Sequence, residues 1–291
     1  MALRALQLTK LMLRAHRAPL TRTPAEAGLA YQDVAFPAAD GVELRGWFVP
    51  AGDAPGPAVV FVHGWLWNRL GNVAGQTVVP DRDVDFLPAV AALHRAGFHV
   101  LLFEWRRHGE SASGRGPLTY GPVEAQDFVG AVRHLRSRPE VDGERIGVIG
   151  TSAGGNIALY GTPDAQPIKA VLAIQPTRVT EFNANFARTE LGAWGPALIR
   201  PIDLLYALLR APRPSRQDPA IPARALNGTV VRYVQGTGDP WGSIATVERI
   251  AAATPHTDGP VIHYPSTERY SGYRYISECV DEIVEFFSRH V

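Results

Sequence analysis

Arg145-Ile146-Gly147-Val148-Ile149-Gly150-Thr151-Ser152-Ala153-Gly154-Gly155-Asn156 is the stretch on which the reading of the fold turns. An apolar, β-branched run leads without a break into small residues, and a helical pattern begins at Asn156. Gly150-Thr151-Ser152-Ala153-Gly154 fits G-x-S-x-G, a sharp strand-to-helix turn that lifts a serine hydroxyl clear of the backbone. The flanking residues must be small, because larger side chains would strike the neighbouring strand and helix. A helix starting here also aims the Ala153 N–H outward, where it can meet a developing oxyanion. Ser152 is therefore the candidate nucleophile.

Outward from that turn, strand-like and helix-like segments alternate, which predicts a parallel sheet covered on both faces. Residues 31–37 and 42–50 flank Ala39-Asp40-Gly41 and read as an antiparallel hairpin. Residues 58–63 form a wholly apolar strand, as expected when both faces are buried. A helix is expected over 86–96, ended by Gly97, then a strand over 99–105 and a helix over 123–138. After the serine turn come strands at 170–174, 229–235 and 260–264, with helices at 243–253 and 277–289. Residues 177–227 break the alternation. They exceed an ordinary crossover connection and carry Phe182, Phe186, Leu191, Trp194 and an apolar run over 202–209. The expected organisation is an N-terminal helical extension (1–24), an α/β core (25–176 and 228–291) and a helical cap insertion (177–227); an oversized crossover with no lid role is the alternative for the last.

Composition narrows the classes. With 29 basic and 28 acidic residues the net charge is +1, which implies no electrostatic pull toward nucleic acid. Cys279 is the only cysteine, excluding an intrachain disulfide and a cysteine-based metal cluster. Residues 1–17 read as a basic amphipathic helix packed on the domain or a partner, or lying at a surface. They form a poor signal peptide and fall well short of the roughly 20 apolar residues needed to cross a bilayer. A cytoplasmic protein is the simplest reading.

Phe61-Val62-His63-Gly64-Trp65 closes the apolar strand, and here the chain resembles the α/β-hydrolase superfamily, in which a strand ending in His-Gly precedes an oxyanion-hole N–H. The resemblance implies that Trp65 N–H joins Ala153 N–H, with His63 structural. Asp40-Gly41-Val42-Glu43-Leu44-Arg45-Gly46-Trp47 is similar to the opening of many bacterial members. Glu104-Trp105-Arg106-Arg107-His108-Gly109-Glu110-Ser111 resembles their D-x-R-x-H-G-x-S, with glutamate in place of aspartate, and Tyr120-Gly121 with Glu124 and Asp127 resembles a further helix-start motif. Together these imply an α/β-hydrolase fold: a mostly parallel eight-stranded sheet, helices on both faces and a small helical cap. Gly236-Thr237-Gly238-Asp239-Pro240 resembles the family's acid loop, which makes Asp239 the triad acid, with Glu181 as fallback.

One element of the pattern is missing. The family's histidine belongs in the loop after the last strand, and Pro265-Ser266-Thr267-Glu268-Arg269-Tyr270-Ser271-Gly272-Tyr273 contains none. Counting from Asp239 and back from Phe286 puts the vacancy near Tyr270, with Arg269 and Ser271 as neighbours. His263 is the one histidine near that edge. Losing such a base costs a serine protease roughly 10⁶-fold in turnover. Three functions follow: a serine hydrolase of a small ester or acyl substrate, with His263 or a water as base; a lyase or cyclase of a specialised natural-product metabolite, with Asp239 as base and Tyr270 or Ser152 as proton donor; and a ligand-binding protein, like the hydrolase-fold hormone receptors that lack the histidine. Trp67, Trp241 and Tyr270 are expected to contact the substrate, which their character makes apolar or aromatic. No metal, nucleotide or flavin site is read from the sequence, and it carries no signal of oligomeric state.

Overall fold

A computed structural model describes residues 2–77 and 79–291. Its core is one eight-stranded sheet built from β1 (Gln32–Pro37), β2 (Glu43–Val49), β3 (Gly56–Val62), β4 (His99–Glu104), β5 (Val141–Thr151), β6 (Ala170–Ile174), β7 (Val230–Gly236) and β8 (Ile262–Tyr264). The order across the sheet is β1-β2-β4-β3-β5-β6-β7-β8. Only β2 runs against its neighbours; every pair from β4 to β8 is parallel. The central strands are buried on both faces, with Ala58, Val59, Val60, Val100, Leu101, Val148, Ile149, Val171 and Leu172 at 0% exposure. Each large aliphatic side chain so removed from water contributes roughly 1.5–3 kcal/mol. The expected α/β-hydrolase fold is the one observed.

The helices that cover the sheet are α1 (Ala2–Arg14), α2 (Leu87–Arg95), α3 (Ala125–Arg136), α4 (Ala153–Gly161), α5 (Val179–Leu191), α6 (Ile199–Leu208), α7 (Ala220–Ala223), α8 (Ile244–Ala253), α9 (Arg269–Gly272), α10 (Tyr275–Glu278) and α11 (Val280–His290). α2 packs with α11, whereas α3, α4, α7 and α8 form a second contacting series. β8 begins two residues later than expected. The last helix is split, because Cys279 leaves helical geometry at φ −108°, ψ 41°.

α5, a 3₁₀ stretch (Gly192–Leu198), α6 and α7 occupy the long connection between β6 and β7. α1 packs beside them through the buried Leu8 and the Arg4–Glu190 ion pair, and Met12 O accepts from the Tyr120 hydroxyl. No described helix is long and apolar enough to cross a membrane.

Candidate functional site

Ser152 has φ 53° and ψ −119°, a conformation that non-glycine residues rarely hold. It is maintained by contact on every side. A Cβ on Gly150 would lie 2.6 Å from Gly154 O, and one on Gly154 would lie 1.9 Å from Val62 O. The start of α4 therefore sits directly against the end of β3, beside the loop that carries Trp65. Among the described residues nothing accepts a hydrogen bond from the N–H of Trp65 or Ala153, so both donors stay available. The loop itself is pinned: Leu66, at φ 71°, donates its N–H to His108 Nε2 at 3.3 Å.

The decisive side chain is Arg269. Its guanidinium donates from Nη2 to Ser152 Oγ at 3.0 Å and forms a short ion pair through Nη1 with Asp239. Sequence counting put the vacancy near Tyr270 with Arg269 beside it, and Arg269 is the residue that reaches Ser152 and Asp239. Glu268 caps the single turn α9, accepting from the N–H groups of Tyr270 and Ser271, which sets Arg269 as the first helical residue. Gln175, at the end of β6, fixes it from behind. Its Nε2 donates to Arg269 O at 2.9 Å, and its Oε1 accepts from Gly236 N at 3.1 Å. The Arg269 head also lies 5.1 Å from the Phe182 ring and 5.5 Å from that of Tyr273. Burial is the largest influence and works against its charge, but Asp239 together with Tyr273 and Tyr270 holds the guanidinium above its ordinary pKa. It is a permanent cation.

Asp239 has both oxygens engaged. Oδ1 accepts from Trp241 N at 2.9 Å, while Oδ2 meets Arg269 and Gln235 Nε2 at 3.2 Å. Its side chain is fully buried, with both oxygens already accepting from these groups. His263 is exposed and pairs with Glu248 at 3.2 Å, so it is not a base for Ser152. His63 is fully buried, with Nδ1 donating to Gly64 O at 2.7 Å, and burial drives its pKa down to about 3. Glu181 hydrogen-bonds Thr246 and takes no part in this cluster. Tyr273, which no sequence motif marked, aims its buried hydroxyl at Ser152 and Gln175 but meets neither in hydrogen-bond geometry. Its burial, against the pull of Arg269, pushes its pKa up to about 12.

Two lobes meet over Ser152. One is lined by Trp65, Trp67, Trp241, Arg269, Tyr270 and Tyr273. The other is lined by Trp65, Tyr120, Ala153, Thr177, Phe182 and Asn183. Trp67 packs edge-on to Tyr273 at 4.9 Å, and Trp241 edge-on to Phe186 at 5.1 Å. Phe182, Asn183 and Thr177 carried no motif; only their place after β6 marks them in the sequence.

The pattern of the alpha/beta hydrolase family matches residues 59–277, about three quarters of the chain. The chain belongs to the alpha/beta hydrolase family. It is 28% identical over 192 residues to thiohydrolase aneE of Aspergillus aculeatus, covering 66% of this chain and 55% of that one. It spans about half the length of the curated relatives it matches. Among solved structures it shares its fold with the Pyrococcus furiosus esterase Pf2001, at TM-score 0.71 and 23% identity over 96% of this chain and 97% of that one. The alpha/beta hydrolase GrgF of Penicillium sp. sh18 superposes at TM-score 0.64 with 17% identity, over 90% and 99% of the two chains.

Proposed function

We propose that this protein is an acyl-group hydrolase in which Ser152 attacks an activated acyl carbonyl, that of a thioester above all, without a general base. The observation that carries this reading is Arg269 bound to both Ser152 Oγ and Asp239 in the position of the base. A guanidinium cannot accept the serine proton. It can stabilise the alkoxide left when that proton goes to solvent hydroxide, with help from the N-terminus of α4. Asp239 acts as a positioning residue that holds the guanidinium. Oγ then bonds to the carbonyl carbon, and the oxyanion is held by the Trp65 and Ala153 N–H groups.

The leaving group decides the substrate class. A thiol ionises near pKa 8.5, so a thiolate departs as the C–S bond breaks without a proton from the protein. An alkoxide needs an acid, and the buried Tyr273 hydroxyl beside Ser152, its pKa pushed up to about 12, gives up a proton poorly. The name of the thiohydrolase relative is consistent with this choice. Hydrolysis of the acyl-serine also lacks a base, so that intermediate accumulates. The test is intact mass spectrometry after mixing with a decanoyl N-acetylcysteamine thioester. The acyl mass should appear on Ser152, with a thiol burst equal to the protein concentration. Unchanged thiol release by Ser152→Ala, or faster reaction with an oxygen ester of the same acyl group, would sink the reading.

Ligand binding without chemistry is the second reading, favoured by Arg269, which cannot accept a proton, standing beside Ser152 where a base would be. It requires a free acid held tightly and no acyl adduct, which the same measurement separates.

A further inference from the structure

Exposed apolar bulk is confined to one part of the surface. Among the described residues, every large apolar side chain more than half exposed lies in α1 or between residues 194 and 221. α6 explains the pattern. Tyr206 is buried on its inner side, whereas Arg200, Leu204 and Leu208 recur at i, i+4 spacing on the opposite, exposed face. α1 lies along one flank of α6, where Leu8 and Met12 share a cleft with Ile199 and Ile202. On the other flank the exposed Ile221 shares a cleft with Ala207. Leu3 and Leu6, with Lys10 and Arg14, occupy the exposed side of α1, away from its buried Leu8. The charge around this ridge is one-sided. Residues 192–217 carry Arg200, Arg210, Arg213 and Arg216 against a single acid, Asp203, whose Oδ1 accepts from Ser215 N at 2.9 Å. Residues 1–17 carry no acid at all, although the chain as a whole is only +1.

We propose that this face docks on the surface of an anionic phospholipid bilayer, lying on it rather than crossing it. Leu3, Leu6, Leu204, Leu208 and Trp194 enter the boundary between headgroups and acyl chains, and the basic side chains around them reach anionic headgroups. The charge selects this occupant over a second copy of the chain. A two-fold contact through the same face would set these arginines against their own equivalents, and like charges repel. An anionic bilayer supplies an apolar interior and the opposite charge at its surface. The proposal is independent of the acyl reading of Ser152.

The test is co-sedimentation of the full chain with vesicles of equal parts phosphatidylcholine and phosphatidylglycerol, against vesicles of phosphatidylcholine alone. Binding to the anionic vesicles should be at least tenfold tighter and should weaken as salt is raised to about 0.5 M. Arg200→Gln and Arg210→Gln should each weaken it roughly fivefold, the worth of one basic residue near an anionic surface. Leu204→Ser with Leu208→Ser should weaken it at least tenfold. These side chains are exposed, so an unchanged urea midpoint should accompany each loss. Trp194 is 75% exposed while the other five tryptophans are buried, which makes it a built-in probe. Its fluorescence should be quenched by brominated acyl chains, and Trp194→Ser should remove that quenching. The proposal is overturned if the protein does not sediment with anionic vesicles, or if it binds both compositions equally. It is overturned equally if the leucine variant binds as the wild type does, or if Trp194 stays unquenched. A lipid-free dimer that the leucine variant dissociates, with no vesicle binding, would instead assign the face to a second copy.

Discussion

Replacing Arg269 by methionine isolates the feature that sets this site apart. The change keeps an unbranched apolar stem, two atoms shorter, and deletes the charge. Arg269 and Asp239 have side-chain exposures of 4% and 0%. Without the guanidinium, Asp239 keeps only Trp241 N at 2.9 Å and Gln235 Nε2 at 3.2 Å, two neutral donors for a buried charge. Breaking a buried pair by removing one partner costs about 3–5 kcal/mol. For a chain of this size that is a fall in Tm of roughly 6–20 °C. Adding Asp239→Asn removes the stranded charge, so the double variant should recover at least half of the loss, with a coupling energy of about 2 kcal/mol or more. Urea unfolding of the wild type, both single variants and the double variant at pH 7, followed by tryptophan fluorescence, closes the cycle. In the same set, acyl-serine formation should slow roughly 10²–10³-fold in Arg269→Met, the scale of a lost oxyanion donor. A loss below about 1 kcal/mol, or strict additivity in the double variant, would refute the pairing argument.

Gly154→Ala should cost about 3 kcal/mol or more or prevent folding, since its Cβ would lie 1.9 Å from a backbone oxygen; a soluble variant with a wild-type urea midpoint would contradict this. His63, held neutral by burial with a pKa of about 3 against an ordinary 6.5, takes its proton first in the unfolded chain. Stability should therefore fall as pH drops from 6.5 toward 3, by about 1.4 kcal/mol per unit from this group, and His63→Asn should flatten that slope when unfolding is followed at pH 6 and pH 4.5. Tyr273→Phe removes a buried hydroxyl with no hydrogen-bond partner among the described residues, so unfolding free energy should stay level or rise by up to about 1 kcal/mol; a loss greater than that would mean the hydroxyl is bonded.

What was legible in the sequence follows from what each feature depends on. The strands at 58–63 and 99–105 declare themselves because burial on both faces demands continuous apolar residues. The turn at Ser152 is legible because only small residues survive the contacts at Gly150 and Gly154. Arg269 was not, although the residue was named beside the vacancy. Spacing inherited from a histidine loop places the vacancy only to within a residue or so, near Tyr270 with Arg269 and Ser271 as neighbours. The usable signal was Glu268-Arg269-Tyr270-Ser271, whose reciprocal cap starts a helical turn and fixes which residue leads it.

The substitution of arginine for histidine has a simple electrostatic meaning. In a serine–histidine–aspartate triad the imidazole begins neutral and becomes a cation only when it takes the serine proton. Here the cation is present from the start, beside the same serine and held by Asp239. In the proposed mechanism the site is thus fixed in the charge arrangement that a triad reaches at its oxyanion stage. It is preorganised for anions and deprived of the proton acceptor. Such a site gains little on neutral esters, whose alkoxide leaving group must be protonated. It gains most where the proton has already gone: on a thiolate leaving group, or on the carboxylate of a released acid. The free acid should therefore inhibit competitively and more tightly than its amide, by the difference between a charged and a neutral partner for Arg269, roughly tenfold. Equal inhibition by acid and amide would show that the charge of Arg269 is spent entirely on Asp239, and the preorganisation argument would fail with it.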